Sequence, residues 1–210
     1  MKIPIWSVAL LAFTFGMASA EGQGKEQPAK SEQKAIQAIE AVGGTVREIA
    51  QNDDRLEVAY PRESKIPIEG QAPLTDEHLA ILKDLPKIVH LRLGSTSVTD
   101  QGLSHLEGLP NLTRLNLERT KITDVGLKHL GNLKNLTYLN LYATEISDTG
   151  LLHLKNLSKL KKLYVSQTKV TKAGAADLQK ALPQLDINTG LEQSGSGAGE
   201  KKGAIAESEK

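Results

Sequence analysis

The side chains of this chain that could do chemistry recur at one interval. His105, His129 and His153 stand 24 residues apart, as do Asp100, Asp124 and Asp148, and a threonine row runs through Thr96, Thr120, Thr144 and Thr168. Imidazoles stacked in this way could ligate zinc or copper, a threonine could act as a nucleophile, and paired carboxylates could move protons. All three readings meet one objection: a fixed frame by itself produces such rows. No acid or cysteine repeats beside the histidines, and the sequence places no base beside the threonines. The aspartates fall where a helix begins and its positive end favours a carboxylate, and the threonine hydroxyls can satisfy turn amides and carbonyls. No GxSxG elbow, HExxH pair or glycine-rich phosphate loop occurs; Gly126 and Gly131 are followed by Asn132, without the lysine and hydroxyl of a phosphate loop. The expectation is a protein that is not an enzyme and has neither cofactor nor metal.

What positions these rows is a unit of 24 residues. Residues 99–122 read TDQGLSHLEGLPNLTRLNLERTKI, residues 123–146 TDVGLKHLGNLKNLTYLNLYATEI, and residues 147–170 SDTGLLHLKNLSKLKKLYVSQTKV. Residues 75–98 keep the same frame, and a truncated copy starts at 171, so repeats begin at 75, 99, 123, 147 and 171. Leucines at fixed offsets with a period in the range of about 20–29 residues indicate a stacked solenoid. A Thr or Ser followed by Asp opens each regular unit, where the hydroxyl can take an exposed amide. Each unit therefore reads as strand, turn and helix.

Through LxxLxLxxTxI and the preceding TDxGLxxLxxL, residues 75–189 resemble the leucine-rich repeat family, in particular its ribonuclease-inhibitor-like subclass, with threonine where many relatives carry asparagine. The resemblance implies an α/β fold: a right-handed solenoid bent into a horseshoe arc, with a parallel concave sheet, convex helices and a cap at each end. It also implies a binding scaffold, since family members generally act by protein interaction.

Within each LxxLxL strand the leucines point inward and the residues between them outward. In the 24-residue frame three outward rows form: His90, Arg114, Tyr138, Lys162; then Arg92, Asn116, Asn140, Tyr164; then Gly94, Glu118, Tyr142, Ser166. Trp6, Phe13 and Phe15 all lie near the start of the chain, so three of the four tyrosines gather on this face, with Tyr60 apart. Tyrosine and arginine carry binding energy at interfaces because they offer large contact area with a polar handle. His90, Arg92, Arg114, Asn116, Glu118, Tyr138, Asn140, Tyr142, Lys162 and Tyr164 are the candidate ligand-binding residues. Tyrosine also suits exposed strand positions for purely structural reasons.

The ends differ from the repeats. Met-Lys, an apolar run to Phe15 and Ala18-Ser19-Ala20 make residues 1–20 a secretory signal, expected to be cleaved after Ala20 and too short to span a bilayer. Its removal takes one lysine and leaves 25 basic against 25 acidic side chains, so broad electrostatic capture of nucleic acid is excluded. With no cysteine, stability must come from packing. Residues 21–30 read as a disordered linker. Residues 31–74 read as an N-terminal cap: a helix capped by Ser31 and ended by Gly43-Gly44, strands at 45–49 and 55–60, and a proline-rich loop at 61–74. In this cap Leu56-x-Val58 is expected to take the place of Leu91-x-Leu93. Residues 75–190 are the repeat domain, in which Lys172 and Ala175 mark a closing cap, and residues 191–210 read as a flexible tail.

The function expected is a secreted or periplasmic, non-catalytic scaffold of a bacterium, binding a protein partner on the concave face. Two rivals stand beside it. Substrate receptors of ubiquitin ligases share the TDxGLxxL half, but they carry an F-box module for which this chain has only the helix near Ser31. A structural or glycan-binding envelope protein would use Tyr138, Tyr142 and Tyr164 as stacking platforms. Asn111, Asn135 and Asn156 head glycosylation acceptor triplets, which the repeat supplies incidentally.

Overall fold

A computed structural model describes residues 29–51, 53–61 and 74–190. The expected signal segment, the linker up to residue 28, the proline-rich loop at 62–73 and the tail from 191 lie outside the described residues.

The elements run α1 (Lys30–Ala41), β1 (Thr45–Glu48), β2 (Leu56–Ala59), β3 (Ile88–Arg92), α2 (Asp100–Leu103), β4 (Arg114–Asn116), α3 (Asp124–Leu127), β5 (Tyr138–Asn140), α4 (Asp148–Leu151), β6 (Lys162–Tyr164), α5 (Lys172–Ala181) and β7 (Asp186–Asn188). The seven strands form one sheet in sequence order, antiparallel between β1 and β2 and parallel from β2 to β7. Parallel neighbours in sequence order need a crossover on one side of the sheet, and from β3 to β7 each crossover belongs to a 24-residue turn of an α/β solenoid. The crossovers are tight. One α turn gives way to a 3₁₀ turn, as in Asp100–Leu103 followed by Ser104–Gly108, and the first repeat uses 3₁₀ geometry throughout Asp76–Asp84. A short repeat leaves little length for a full helix, and within the repeats only α5, at the closing end, reaches ten residues. Among the described residues no helix is long and apolar enough to cross a membrane.

The core is the leucine ladder. Leu103, Leu106, Leu112, Leu115, Leu117 and Ile122 are fully buried, and their equivalents repeat this in the next unit. A leucine in this ladder contacts the units before and after it, so neither face of a unit is satisfied alone.

Two expectations about the N-terminal cap are corrected. The helix begins at Lys30 with Ala29 at its N-cap, and Ser31 does not cap it; Glu32 Oε2 instead accepts the Ala29 N–H at 3.3 Å. The cap strand is also shifted by two residues from the expected frame. Val58 pairs with Leu91 and Ala59 with Arg92, and the Tyr60 N–H bonds the Arg92 carbonyl at 3.0 Å, so Val58 and Tyr60 take the inward positions. Between Leu56, opposite Ile88, and Glu57, opposite His90, the register slips by one further residue at a bulge. The reason is volume: Val58 and Tyr60, at 0% and 5% exposure, fill the end of the ladder, whereas Leu56 stays half-buried. Burial pushes the Tyr60 phenol well above its ordinary pKa. In the hairpin turn, Arg55 grips Asp53 through Nε at 2.9 Å and Nη2 at 2.6 Å, holding that carboxyl down to about 2.

The opening of each repeat has a longer reach than its local sequence suggests. Asp100 Oδ1 accepts the Thr123 N–H at 2.8 Å and Oδ2 the Thr123 hydroxyl at 2.5 Å, and the same pair of bonds links Asp76 to Thr99, Asp124 to Ser147 and Asp148 to Thr171. Each aspartate thus staples its own unit to the next. The hydroxyl also accepts a weak N-cap bond, as from Val125 at 3.3 Å, but its shorter bond is the one it donates across the repeat. The glycine of TDxGL follows from this: a Cβ on Gly126 would collide with Asp100 Oδ1, and Gly102, Gly150 and Gly174 meet the preceding aspartate in the same way.

Candidate functional site

The outward rows of β3–β6 lie in register. His90 pairs with Arg114, Arg114 with Tyr138 and Tyr138 with Lys162; beside them Arg92 pairs with Asn116, Asn116 with Asn140 and Asn140 with Tyr164. β7 extends both rows to Asp186 and Asn188. Arg92, Arg114 and Lys162 are exposed, and His90, Asn116, Glu118, Tyr138, Tyr142 and Tyr164 are half-buried.

Asn140, expected to face out, is 8% exposed. It stands opposite Tyr164 on the next strand, and both ends of its amide are bonded. Its Nδ2 donates to Glu118 Oε2 at 3.1 Å, and its Oδ1 accepts the Tyr142 N–H at 3.0 Å. Asn116 makes the equivalent turn bond to the Glu118 N–H at 2.9 Å. Both asparagines therefore close the strand-end turn. Immediately after it, Ser95, Arg119, Ala143 and Gln167 have φ between 54° and 59°, the left-handed region that side chains enter at a cost. The geometry delivers the N–H of Arg119 to the Tyr142 carbonyl at 2.8 Å, and the next residue, Thr120, donates its hydroxyl to the Leu117 carbonyl at 2.7 Å. Thr96, Thr144 and Thr168 repeat that hydroxyl bond at 2.6–2.7 Å, so the threonine row is committed to backbone carbonyls.

At the centre of the face three side chains stack. The Arg114 guanidinium carbon lies 4.7 Å above the Tyr138 ring centroid, and the Tyr138 and Tyr164 rings are 5.4 Å apart at 44°. Tilted ring pairs and guanidinium–ring contacts are both attractive. Arg119 adds a second such contact, 5.5 Å over Tyr142. Burial, and after it the neighbouring Tyr164, raises the Tyr138 pKa. Lys162 stands beside Tyr138 in register, exposed.

On the N-terminal side, a concavity of about 380 Å³ is lined by His90, Arg92, Arg114, Asn116 and Tyr138, together with Glu57 from the cap. Glu57 was not among the expected site residues: the two-residue shift of β2 puts it opposite His90. The outward position of Glu57 was legible from the alternation of Leu56, Val58 and Tyr60, but its row was not. Its carboxylate lies 3.7 Å from Arg92 Nη1 and 3.5 Å from Arg47 Nη2. Burial, then the charge of Arg114, lowers the His90 pKa, while Glu57 opposes them.

The histidine row is not one site. His129 Nδ1 lies 2.6 Å from Glu107 Oε1, and His153 is exposed. Among the described residues no group of three acids and histidines converges as a metal cage. Asn111 and Asn135 donate their amide nitrogens to the Pro86 and Pro110 carbonyls at 3.0 and 2.8 Å, which gives both side chains a place in the repeat joint.

A parallel sheet of short strands, one per 24-residue unit, with an inward leucine ladder is the fold of a leucine-rich repeat protein. The leucine-rich repeat family pattern matches residues 86–146 and 110–170. Among solved structures the chain is similar to internalin C2 from Listeria monocytogenes, with 33% identity, coverage of 51% of this chain and 44% of that one, and a TM-score of 0.44. It is also similar to a leucine-rich repeat protein of Leptospira interrogans, with 21% identity, 52% and 27% coverage and a TM-score of 0.42. A third, the Listeria monocytogenes internalin inlF, gives 19%, 77% and 58%, and 0.40. The chain therefore spans less than two thirds of the length of each of these proteins. No curated protein matches the sequence.

Proposed function

We propose that the chain is an exported, non-catalytic scaffold of a bacterial envelope, of the TDxGLxxL type, whose concave sheet holds a protein ligand. The observation that carries this reading is the Arg114–Tyr138–Tyr164 stack at the middle of the sheet. It breaks the repeat where the leucines, threonines and aspartates keep it. A stacked arginine and two half-buried tyrosines give rigid contact area with polar edges, the composition of interface hot spots. Residues 1–20, read as a secretory signal, support export. The tilted ring pair also favours a second reading, a glycan laid on Tyr138 and Tyr164.

The test is capture from envelope and extracellular fractions by the wild-type protein beside the Tyr138→Ala/Tyr164→Ala double variant. Both should melt alike, because the rings are half-exposed, and only the wild type should retain a partner. Equal retention by the two would remove the concave face from consideration. Salt separates the two ligand classes: a protein steered by Arg92, Arg114 and Lys162 dissociates as salt rises, and a stacked glycan does not.

A further inference from the structure

The concavity beside the tyrosine pair carries a charge imbalance. Glu57 is the one carboxylate in its lining, and it already faces two arginines, Arg47 and Arg92. Arg114 has no carboxylate within ion-pair distance among the described residues; its partner is the face of the Tyr138 ring. A guanidinium stacked on an aromatic face keeps its N–H donors at the edge, where they form the planar fork that fits a carboxylate. Stacking also fixes the long side chain in advance, which lowers the entropy lost on binding.

We infer that this concavity receives a carboxylate side chain of a protein partner at the free edge of Arg114, with the partner's adjacent residue lying on Tyr138 and Tyr164. The inference rests on the concave face being the binding surface and specifies the occupant as an acidic segment. With His90 neutral, Arg92 and Arg114 against Glu57 leave one positive charge in the lining, which suits a single carboxylate. A phosphate dianion brings a second negative charge towards Glu57. The tyrosine rings offer area that a neighbouring side chain covers and a lone anion does not.

Binding of an anion also has a readout at His90. The charged groups facing that imidazole are Arg114 on β4, Glu57 on β2 and Arg55 just before it, with Arg92 on its own strand. The arginines disfavour the imidazolium, so a bound carboxylate, by offsetting them, moves the His90 titration upward.

The experiment uses the full chain and, as probe, a fluorescently labelled random copolymer of glutamate and tyrosine, with a lysine–tyrosine copolymer as control. Wild-type protein should bind the acidic copolymer and not the basic one. Arg114→Gln should weaken binding by about tenfold or more, the scale of losing one partner of a charge pair. Arg114→Lys should fall between, and Lys169→Gln, at an exposed site paired with Glu145, should match wild type. The His90 proton resonances should titrate at higher pH with copolymer bound. Melting curves establish that each variant is folded.

Equal binding by Arg114→Gln and wild type overturns the inference, as does an unmoved His90 titration. Inorganic phosphate displacing the copolymer at far lower concentration than acetate overturns the carboxylate in favour of a phosphate. If wild type binds no acidic copolymer, the inference fails. The envelope capture then decides separately: a partner lost only by the tyrosine double variant leaves the concave-face reading standing.

Discussion

The convex turns and the concave strands of this solenoid share one period and use it in opposite ways. On the convex side the internal units repeat the same joint: aspartate to the next threonine or serine, with a glycine where the aspartate side chain of the preceding unit comes in. On the concave side the same register brings together different residues, His90 beside Arg114 beside Tyr138 beside Lys162. A position that must fit its neighbour above and below keeps its identity; one that faces outward is released from that constraint and can serve a ligand. In a repeat protein, departures from the period are therefore the informative positions, and invariance within the chain marks the joints.

The ends sharpen this contrast. In the first unit Thr75 is met by no aspartate of a preceding unit, and His78, at the glycine position, accepts the Thr75 N–H on its Nδ1 at 3.1 Å in place of that carboxylate. In the last unit Lys172 occupies the aspartate position.

The largest effect should come from the shared core. Leu115→Ala, at a fully buried ladder position, should cost about 2–5 kcal/mol of stability in a denaturant titration, since the packed units on either side cannot collapse into the gap. An unchanged midpoint would mean Leu115 is not held between repeats. Next comes the joint: Asp124→Ala removes both bonds to Ser147 and should cost about 2–3 kcal/mol, whereas Lys172→Asp should stay within about 0.5 kcal/mol of wild type, having no following unit to hold. Comparable losses for the two would sink the staple argument.

A smaller and opposite effect is expected at Ala143, whose φ of 54° costs an alanine and not a glycine. Ala143→Gly should raise the melting temperature, by up to about 1 kcal/mol in stability, the relief of the left-handed strain less the added freedom of the unfolded chain. The last comparison is a slope. His90 titrates below the usual 6.5 in the folded protein, so as pH falls below that value the unfolded chain takes the proton first. The stability associated with the neutral ring is complete above pH 6.5 and is lost as pH falls through the folded value. His90→Gln should flatten stability against pH in that window, and an unaltered slope would place the sensitivity elsewhere.

Most of the fold was written in the 24-residue period, because the leucine offsets determine both the inward face and the strand register. The three outward rows followed from alternation alone. What stayed hidden came from contacts that alternation does not encode. Leu56-x-Val58 and Val58-x-Tyr60 satisfy the same period of two, and only the space at the end of the ladder selects the second; Glu57 faces outward in either frame, and the frame decides that it stands opposite His90 and not Arg92. The bond from Asp100 to Thr123 spans 23 residues, so reading each unit by itself assigns both side chains to local capping. Asn140 was placed in solvent because its row alternates outward; its bonds to Glu118 and to the Tyr142 N–H, which draw the amide down onto the turn, are not encoded by alternation.

The staple has a direction, each acceptor facing the unit that comes after it, and the terminal units are spelled so that neither acceptor nor donor is left over. A gene segment of 72 nucleotides inserted between two internal units would therefore encode a longer protein in which every joint still closes, with no compensating change at either terminus. Such an array can lengthen by unequal recombination in a single event, gaining one new strand of outward residues each time. Diversity of recognition is then generated by copying first and altering afterwards, with the hidden joints inherited unchanged.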